Sequence, residues 1–491
     1  MSNKISTTGN GLFGISLTAA LAGFIFGFDM VVISGADKAI QSLWQTSPWF
    51  HGFFIMSMAL WGTVIGSIFG GVPTEKYGRK KILMLVGILF TISSIGSALA
   101  QDPYLFSFFR LLGGIGIGIS SVAAPTYISE ISTAQSRGRL VAMYQFNIVF
   151  GILIAYLSNY FLEGIGGEND WRWMLGVMTI PSLIYSIMVF TIPESPRWLI
   201  SKKADIEGAR AVMGRLGLEG FDQLVESLLK GGGRREEGEG NTVDGSQLTV
   251  DSQPSTVNRQ PSTANRQPST ANRQPSSQNF FDRKHFRIIG LAFMIAFFNQ
   301  VSGINFILYY APRILAAAGL AEQESLLNSI AIGGTNLVFT FVGLYLIDRL
   351  GRKTLLLIGS VGYVISLCMV SYAFYASASP AFLLFFLLMF IASHAVGQGA
   401  VIWVFISEIF PNHMRARGQA LGASVHWVFA ALITLVAPVF IDDKQGIFKD
   451  NPWPIFAFFA CMMLTQLIWV LMKVPETKGV SLEELEKQLI K

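Results

Sequence analysis

Between Asn299 and Pro312 an apolar run carries side chains that lipid cannot satisfy: the amides of Asn299, Gln300 and Asn305 and the phenols of Tyr309 and Tyr310. A buried amide without a partner costs about 1–3 kcal/mol. A helix facing only lipid would not carry three of them. Their chemistry is hydrogen bonding, to a wet cavity or to a ligand with many hydroxyls. The same amides could instead bridge neighbouring membrane helices. The stretch taken alone leaves both readings open.

Two charges raise a related question. Asp29 follows Gly27 and Phe28 in the first apolar segment, and Arg110 lies inside the fourth. A charge at mid-bilayer costs about 2.5–3.5 kcal/mol or more, so such residues are functional or paired. The simplest arrangement sets Asp29 and Arg110 against each other. They then form either a static ion pair or a proton site, since a carboxylate whose partner moves between states is a natural proton carrier.

The elements that must position these groups follow from composition. The chain has 491 residues, 52% hydrophobic and 14% charged. Soluble domains carry about 25% charged residues. Many segments reach the roughly 20 apolar residues that span a bilayer. Twelve spans are expected, near 12–34, 53–73, 81–100, 104–126, 140–162 and 172–192, then 286–310, 328–347, 354–376, 381–404, 419–440 and 454–473. The net charge of +5 needs no nucleic acid to explain it, because Lys and Arg gather in alternate loops, around Arg79, Arg137, Arg352 and Arg415. The positive-inside rule makes that side cytoplasmic, and an even span count puts both termini there. Cys368 and Cys461 sit in apolar runs and suggest no disulfide framework. Residues 1–10 lack the basic region and cleavage site of a secretory signal. No metal-ligand spacing, cofactor motif or nucleophile triad is legible, so the chain does not read as an enzyme.

Residues 200–285 interrupt the hydropathy pattern. From Asp205 to Lys230, apolar positions at helical spacing (Ala209, Val212, Met213, Leu216) predict one or two amphipathic helices. After Gly231 to Gly233 an Arg-Gln-Pro-Ser-Thr-Ala-Asn unit recurs from Arg259, Arg266 and, in part, Arg273. Each unit has a proline and no core-forming positions, so residues 231–279 are expected to be a disordered spacer. The expected division is 1–199, 200–285, 286–474 and a tail at 475–491, where Glu483, Glu484 and Lys487 mark a short polar helix.

The two halves repeat each other. Glu75-Lys76-Tyr77-Gly78-Arg79-Lys80 echoes Asp348-Arg349-Leu350-Gly351-Arg352-Lys353. Tyr127 to Ile131 echoes Phe405 to Ile409, and each contains a glutamate, Glu130 or Glu408, seven residues before an arginine, Arg137 or Arg415. Pro193-Glu194 echoes Pro475-Glu476. Two bundles related in this way form one transporter plan, with the site at mid-membrane between halves that rock around it. Charged clusters at matched positions suit a latch that pairs in one state and separates in another. They would equally serve as permanent salt bridges.

These residues resemble the sugar porter branch of the major facilitator superfamily. The resemblance is carried by Gly78-Arg79-Lys80, Arg110 with Gly113-Gly114, Glu130 with Arg137-Gly138-Arg139, Pro193 to Trp198 including Glu194 and Arg197, Gln300 to Tyr310, Asp348 to Arg352, and Pro475 to Gly479. It covers nearly everything but the repeat insert. It implies an all-α membrane protein of twelve transmembrane helices in two six-helix bundles, with intracellular helices at 200–230. It further implies that a monosaccharide, a hexose or pentose, crosses the cell membrane by alternating access, with one chain sufficient and the oligomeric state open.

The resemblance also assigns roles. Sugar contacts map to Gln145, Asn299, Gln300, Asn305, Asn336 and Trp403, with amides to bond hydroxyls and an indole to cover the apolar face. Asn299 stands where the family usually has glutamine. His426 stands where relatives often have Asn, and as a lone helical histidine it is either a hydroxyl contact or a packing residue. An acid at Asp29 opposite Arg110 goes with proton coupling in the family, which makes the bilayer, the sugar and a proton the partners. A passive facilitator and a transporter-like sensor are the alternatives. Gly113, Gly114, Gly116 and Gly118 look like a nucleotide loop only superficially, and inside a span they permit close helix packing.

Overall fold

The computed structural model describes residues 8–133, 136–218, 221–222, 225–226, 280–411, 414–480 and 482–490. Every regular element among them is helical. The tandem repeat and its expected disorder lie outside the described residues. Among the described residues eleven helices are long and apolar enough to cross a membrane, and the pair Pro48–Met56 and Met58–Phe69, bent by 42°, makes up to twelve spans.

The first set is α1 (Thr8–Trp44), α2 (Met58–Phe69), α3 (Arg79–Leu99), α4 (Pro103–Ile131), α5 (Arg137–Leu162) and α6 (Thr179–Thr191). Two short helices follow, α7 (Pro196–Lys203) and α8 (Ile206–Leu216). The second set begins with one apolar stretch broken into α9 (Phe286–Val301) and α10 (Ile304–Ala317). It continues with α11 (Glu322–Leu350), α12 (Arg352–Tyr375) and α13 (Pro380–His394). Then come α14 (Ala400–Ile409), α15 (Arg415–Ile441) and α16 (Trp453–Lys473). The chain closes with α17 (Leu482–Leu489).

The local chemistry sets these boundaries. Asp102 caps α4 by accepting from the Tyr104 and Leu105 amides, with Pro103 in the first turn. Ser195 and Pro196 start α7 in the same way, and Ser379 and Pro380 start α13. α8 buries Ala209, Met213 and Leu216, the face expected from its spacing, while Val212 is half-buried. The tail helix is less solvated than its polar sequence suggests. Leu485 and Leu489 are buried against α14, and Arg287 Nη1 donates to the Gln488 carbonyl.

Glycine allows the closest helix approaches. A Cβ on Gly114 would stand 1.9 Å from the Ala59 carbonyl oxygen, and one on Gly118 would stand 2.4 Å from that of Thr63. Gly114 and Gly118 thus pack α4 against α2, while Gly113 and Gly116 face Ser93 and Phe90 of α3. The halves meet along α1 with α10, α2 with α15, and α5 with α11. These seams frame the space in which the polar residues gather.

Candidate functional site

The apolar stretch of the seventh span breaks at Ser302-Gly303. Gly303 has φ +87°, a left-handed backbone conformation that favours glycine, and a Cβ there would strike the Phe459 ring at 2.6 Å. The Ser302 hydroxyl bridges the break, donating to the Asn299 carbonyl at 2.6 Å and accepting from the Ile304 amide. Broken helices line binding sites in transporters because their freed backbone and side chains face a cavity rather than lipid.

The three amides gather at this break. Gln300 Nε2 donates to Asn299 Oδ1 at 2.8 Å, and Asn305 Nδ2 donates to Gln300 Oε1 at 2.7 Å. His426, from α15, places its two ring nitrogens 3.1 and 3.2 Å from Gln300 Nε2. Its ring centroid lies 5.2 Å from that of half-buried Trp403. The histidine is thus part of the amide cluster, not an isolated packing residue. Gln145 on α5 is half-buried and Asn336 on α11 is buried, and neither side-chain amide has a hydrogen bond among the described residues. These two residues stand on the facing helices of one seam.

In the first half, Arg110 Nη1 donates to Asp29 Oδ1 at 2.5 Å and Nη2 donates to the Asp29 carbonyl at 3.2 Å. Both side chains are within 2% of full burial. Asp29 Oδ2 has no hydrogen-bond partner among the described residues. Tyr309, carried on α10 of the second half, lies within electrostatic reach of both charges, and its hydroxyl is also unpartnered. The ion pair expected from sequence is formed, and the broken helix brings a phenol to it.

The arginine-rich face carries two matched clusters. Arg79 Nη2 donates to Glu130 Oε1 and Arg352 Nη2 to Glu408 Oε1, both at 2.8 Å. The second carboxylate oxygen accepts from Ser195 in the first cluster and from Thr477 in the second. Glu194 accepts from the amides of Arg79 and Lys80 at the start of α3, and Glu476 accepts from those of Arg352 and Lys353 at the start of α12. A carboxylate at a helix start meets free N–H groups and the positive end of the dipole. Gly78 (φ +100°, ψ 157°) and Gly351 (φ +89°, ψ 168°) make the turn that aims those amides, a backbone region open essentially to glycine alone. The glutamates therefore bond Arg79 and Arg352, not the arginines seven residues on. Arg137 instead donates to the Ser129 carbonyl, and the buried Arg415 Nε has no hydrogen-bond partner among the described residues. Arg197 is exposed and has no ion-pair partner among the described residues. Each cluster closes within its own half.

The twin glutamates differ electrostatically. Burial raises the Glu194 carboxyl above its usual range, outweighing the backbone donors of Ser195, Lys80 and Arg79. Glu476 is also raised by burial, but the amides of Lys478, Arg352, Lys353 and Thr477 outweigh that and hold it low.

A second charged network, on the opposite face, was not expected. Arg313 Nε lies 2.8 Å from Asp37 Oδ2, misaligned for a hydrogen bond and so held by charge. Arg313 Nη2 donates to Gln41 Oε1 at 2.7 Å, and Gln41 Nε2 donates to Asp442 Oδ2 at 2.6 Å. His51 Nε2 donates to Asp37 Oδ1 at 2.7 Å, and Lys38 pairs with Asp443 at 3.3 Å. Farther in, the Tyr156 hydroxyl donates to the Leu308 carbonyl. Among the described residues, all the ion pairs and hydrogen bonds that cross between the halves lie toward this face. The signal was present in the sequence. Asp37 and Arg313 extend apolar runs whose expected ends, at 34 and 310, stop just short of them.

The sequence profile of the family described as Sugar (and other) transporter matches residues 15–489. The D-xylose-proton symporter of Escherichia coli K12 is 31% identical, over 97% of this chain and 95% of that one. The arabinose-proton symporter of Bacillus subtilis 168 is 32% identical, over 97% and 95%. The fold matches a partially occluded inward-open structure of the E. coli xylose transporter with a TM-score of 0.76 and 28% identity, over 96% of this chain and all of that one. With its doubled bundle, broken seventh span and matched clusters, the chain belongs to the sugar transporter family, in the sugar porter branch of the major facilitator superfamily.

Proposed function

We propose that this protein moves a monosaccharide, hexose or pentose, across the cell membrane together with a proton, by alternating access. The observation that carries the reading is the gathering of Asn299, Gln300, Asn305 and His426 at a helix break beside Trp403. Clustered amides recognise hydroxyls, and an indole covers the apolar face of a sugar ring. Gln145 and Asn336 complete the set from the facing seam. Both named relatives are sugar-proton symporters, which supports this substrate class.

Coupling falls to Asp29 and Arg110. The free Asp29 Oδ2 is where a proton binds once Arg110 withdraws, and Tyr309 of the second half lies within electrostatic reach of the pair. One charge crossing 100 mV releases about 2.3 kcal/mol, enough for a roughly 40- to 50-fold gradient of a neutral sugar.

By the positive-inside rule we read the arginine-rich face, with both termini, as the cytoplasmic one. The network around Arg313 then closes the outer face. The clusters of Arg79, Glu130, Glu194 and of Arg352, Glu408, Glu476, with Arg137, Arg197 and Arg415 beside them, are the cytoplasmic gate. α7 and α8 lie against it, and a single chain is the working unit.

The test is uptake of labelled glucose and xylose into proteoliposomes with and without an inward proton gradient. Accumulation above equilibrium only with the gradient is expected. Mere equilibration under both conditions would make this a facilitator, and absence of uptake would point to a sensor.

A further inference from the structure

Gln398 is a buried polar group beside the amide cluster with an orphaned donor. It is 1% exposed, its Oε1 receives a long 3.5 Å contact from Asn299 Nδ2, and its own Nε2 has no partner. An unpartnered buried amide donor costs about 1–3 kcal/mol. Beside a cluster of ligand-binding amides, such a donor calls for a partner that the protein does not supply.

The backbone directs Gln398 to this place. Residues Ala395–Gly399 form a π-helical turn between α13 and α14. A π-turn puts an extra residue into the helical register, and such turns are frequent at functional sites. Gly397 packs against Gly359 of α12, where a Cβ would stand 2.9 Å from the Gly359 Cα. With Gly397 facing α12, its neighbour is turned toward α9 and reaches Asn299.

Asn299, across from it, is also short of partners. Its Oδ1 is taken by Gln300, and its Nδ2 has only the long contact to Gln398. As an asparagine it is one methylene shorter than the glutamine expected at this position. A donor is therefore withdrawn from the site on α9 while an unused donor is presented from the π-turn.

We propose that Gln398 Nε2 donates to a hydroxyl oxygen of the bound monosaccharide, replacing the reach lost at Asn299, and so helps set which sugar is preferred. This rests on the sugar-binding reading of the amide cluster.

Gln398→Met keeps the side-chain length and removes the donor. Counterflow into proteoliposomes would be measured for D-glucose, D-galactose, D-xylose and L-arabinose. The sugar with the lowest KM would then be followed by its series of monodeoxy analogues. Gln398→Met should raise the KM for the parent sugar about tenfold with Vmax nearly unchanged. It should also abolish the preference of the wild type for the parent over one particular deoxy analogue. Adding Asn299→Gln should recover part of the lost affinity. Without sugar, the thermal midpoint of Gln398→Met should equal or exceed that of the wild type, because an unpaired buried donor has been removed. Unchanged preference across all the analogues overturns the proposal, as does a variant that is clearly less stable or does not fold. Failure of the sugar-binding reading is distinguishable, because the wild type itself would then transport none of the four sugars.

Discussion

Arg313 and Asp37 stand 2.8 Å apart across the two halves of the molecule, each about 3% exposed or less. Asp37 also receives His51, and Arg313 is tied to Asp442 through Gln41. Removing one partner of a buried pair costs about 3–5 kcal/mol, because the other charge is left uncompensated. The closed outer face thus depends on a bridge that either half can withdraw.

Arg313→Gln should open that face. In a protein with Cys368 and Cys461 replaced by Ser, a cysteine substituted for Ser34 lies at a crevice beside this network. Its labelling by a membrane-impermeant maleimide should quicken at least about tenfold in the Arg313→Gln background, since each 1.4 kcal/mol is a factor of ten. An unchanged labelling rate would mean that packing alone closes this face.

Asp29→Asn should separate transport from coupling. The variant keeps a polar partner for Arg110 but cannot take up and release a proton. Accumulation should fall from the roughly 40- to 50-fold ceiling at 100 mV to equilibrium, while exchange of sugar across the membrane persists. Retained accumulation would return the Asp29–Arg110 pair to a structural role.

The twin glutamates should respond to pH with opposite signs. Glu476 is held below 4.5 in the folded protein, so its stabilisation is complete above that value and is lost as pH falls through the lower folded pKa. Glu194 is raised above 4.5, so its bound proton stabilises below that value and the contribution is lost as pH rises through the raised pKa. In thermal midpoints between about pH 4 and 8, the deficit of Glu476→Gln should shrink on acidification. Glu194→Gln should gain on the wild type as pH rises. Parallel pH profiles would contradict this assignment.

Gly78→Ala and Gly351→Ala should both destabilise. A side chain at these φ values costs about 1–3 kcal/mol, and the added Cβ would stand 2.3 Å from Glu194 Oε2 or 2.5 Å from Glu476 Oε2. Gly71→Ala, with nothing within 4 Å of its added Cβ, serves as control and should leave the thermal midpoint level or higher. Equal midpoints for all three would remove the argument that these turns aim the amides of α3 and α12.

Much of the site was legible in the residues themselves. Asn299, Gln300 and Asn305 stand out because lipid cannot satisfy an amide, and they do gather. Asp29 and Arg110 stand out because charge is costly at mid-bilayer, and they do pair. The matched loops exposed the duplication because each half solves the same helix-start problem, with glycine, basic residue and glutamate at the same places. Less was legible where a group's meaning lies in a distant partner. Gln398 looks like one more residue of an apolar run until its backbone turn and unbonded donor are seen.

The sequence by itself determined that this is a duplicated, twelve-span membrane protein with a polar stretch in its seventh span. Those properties follow from local hydropathy, charge placement and repetition, which each segment carries alone. The tertiary structure decided which charges meet. It paired Glu130 with Arg79 and not Arg137, joined Asp37 to Arg313 across the halves, and brought Tyr309 to the Asp29 pair. Pairing depends on how helices rotate and pack, and an ion pair holds only over a few ångströms, so spacing along the chain does not specify it.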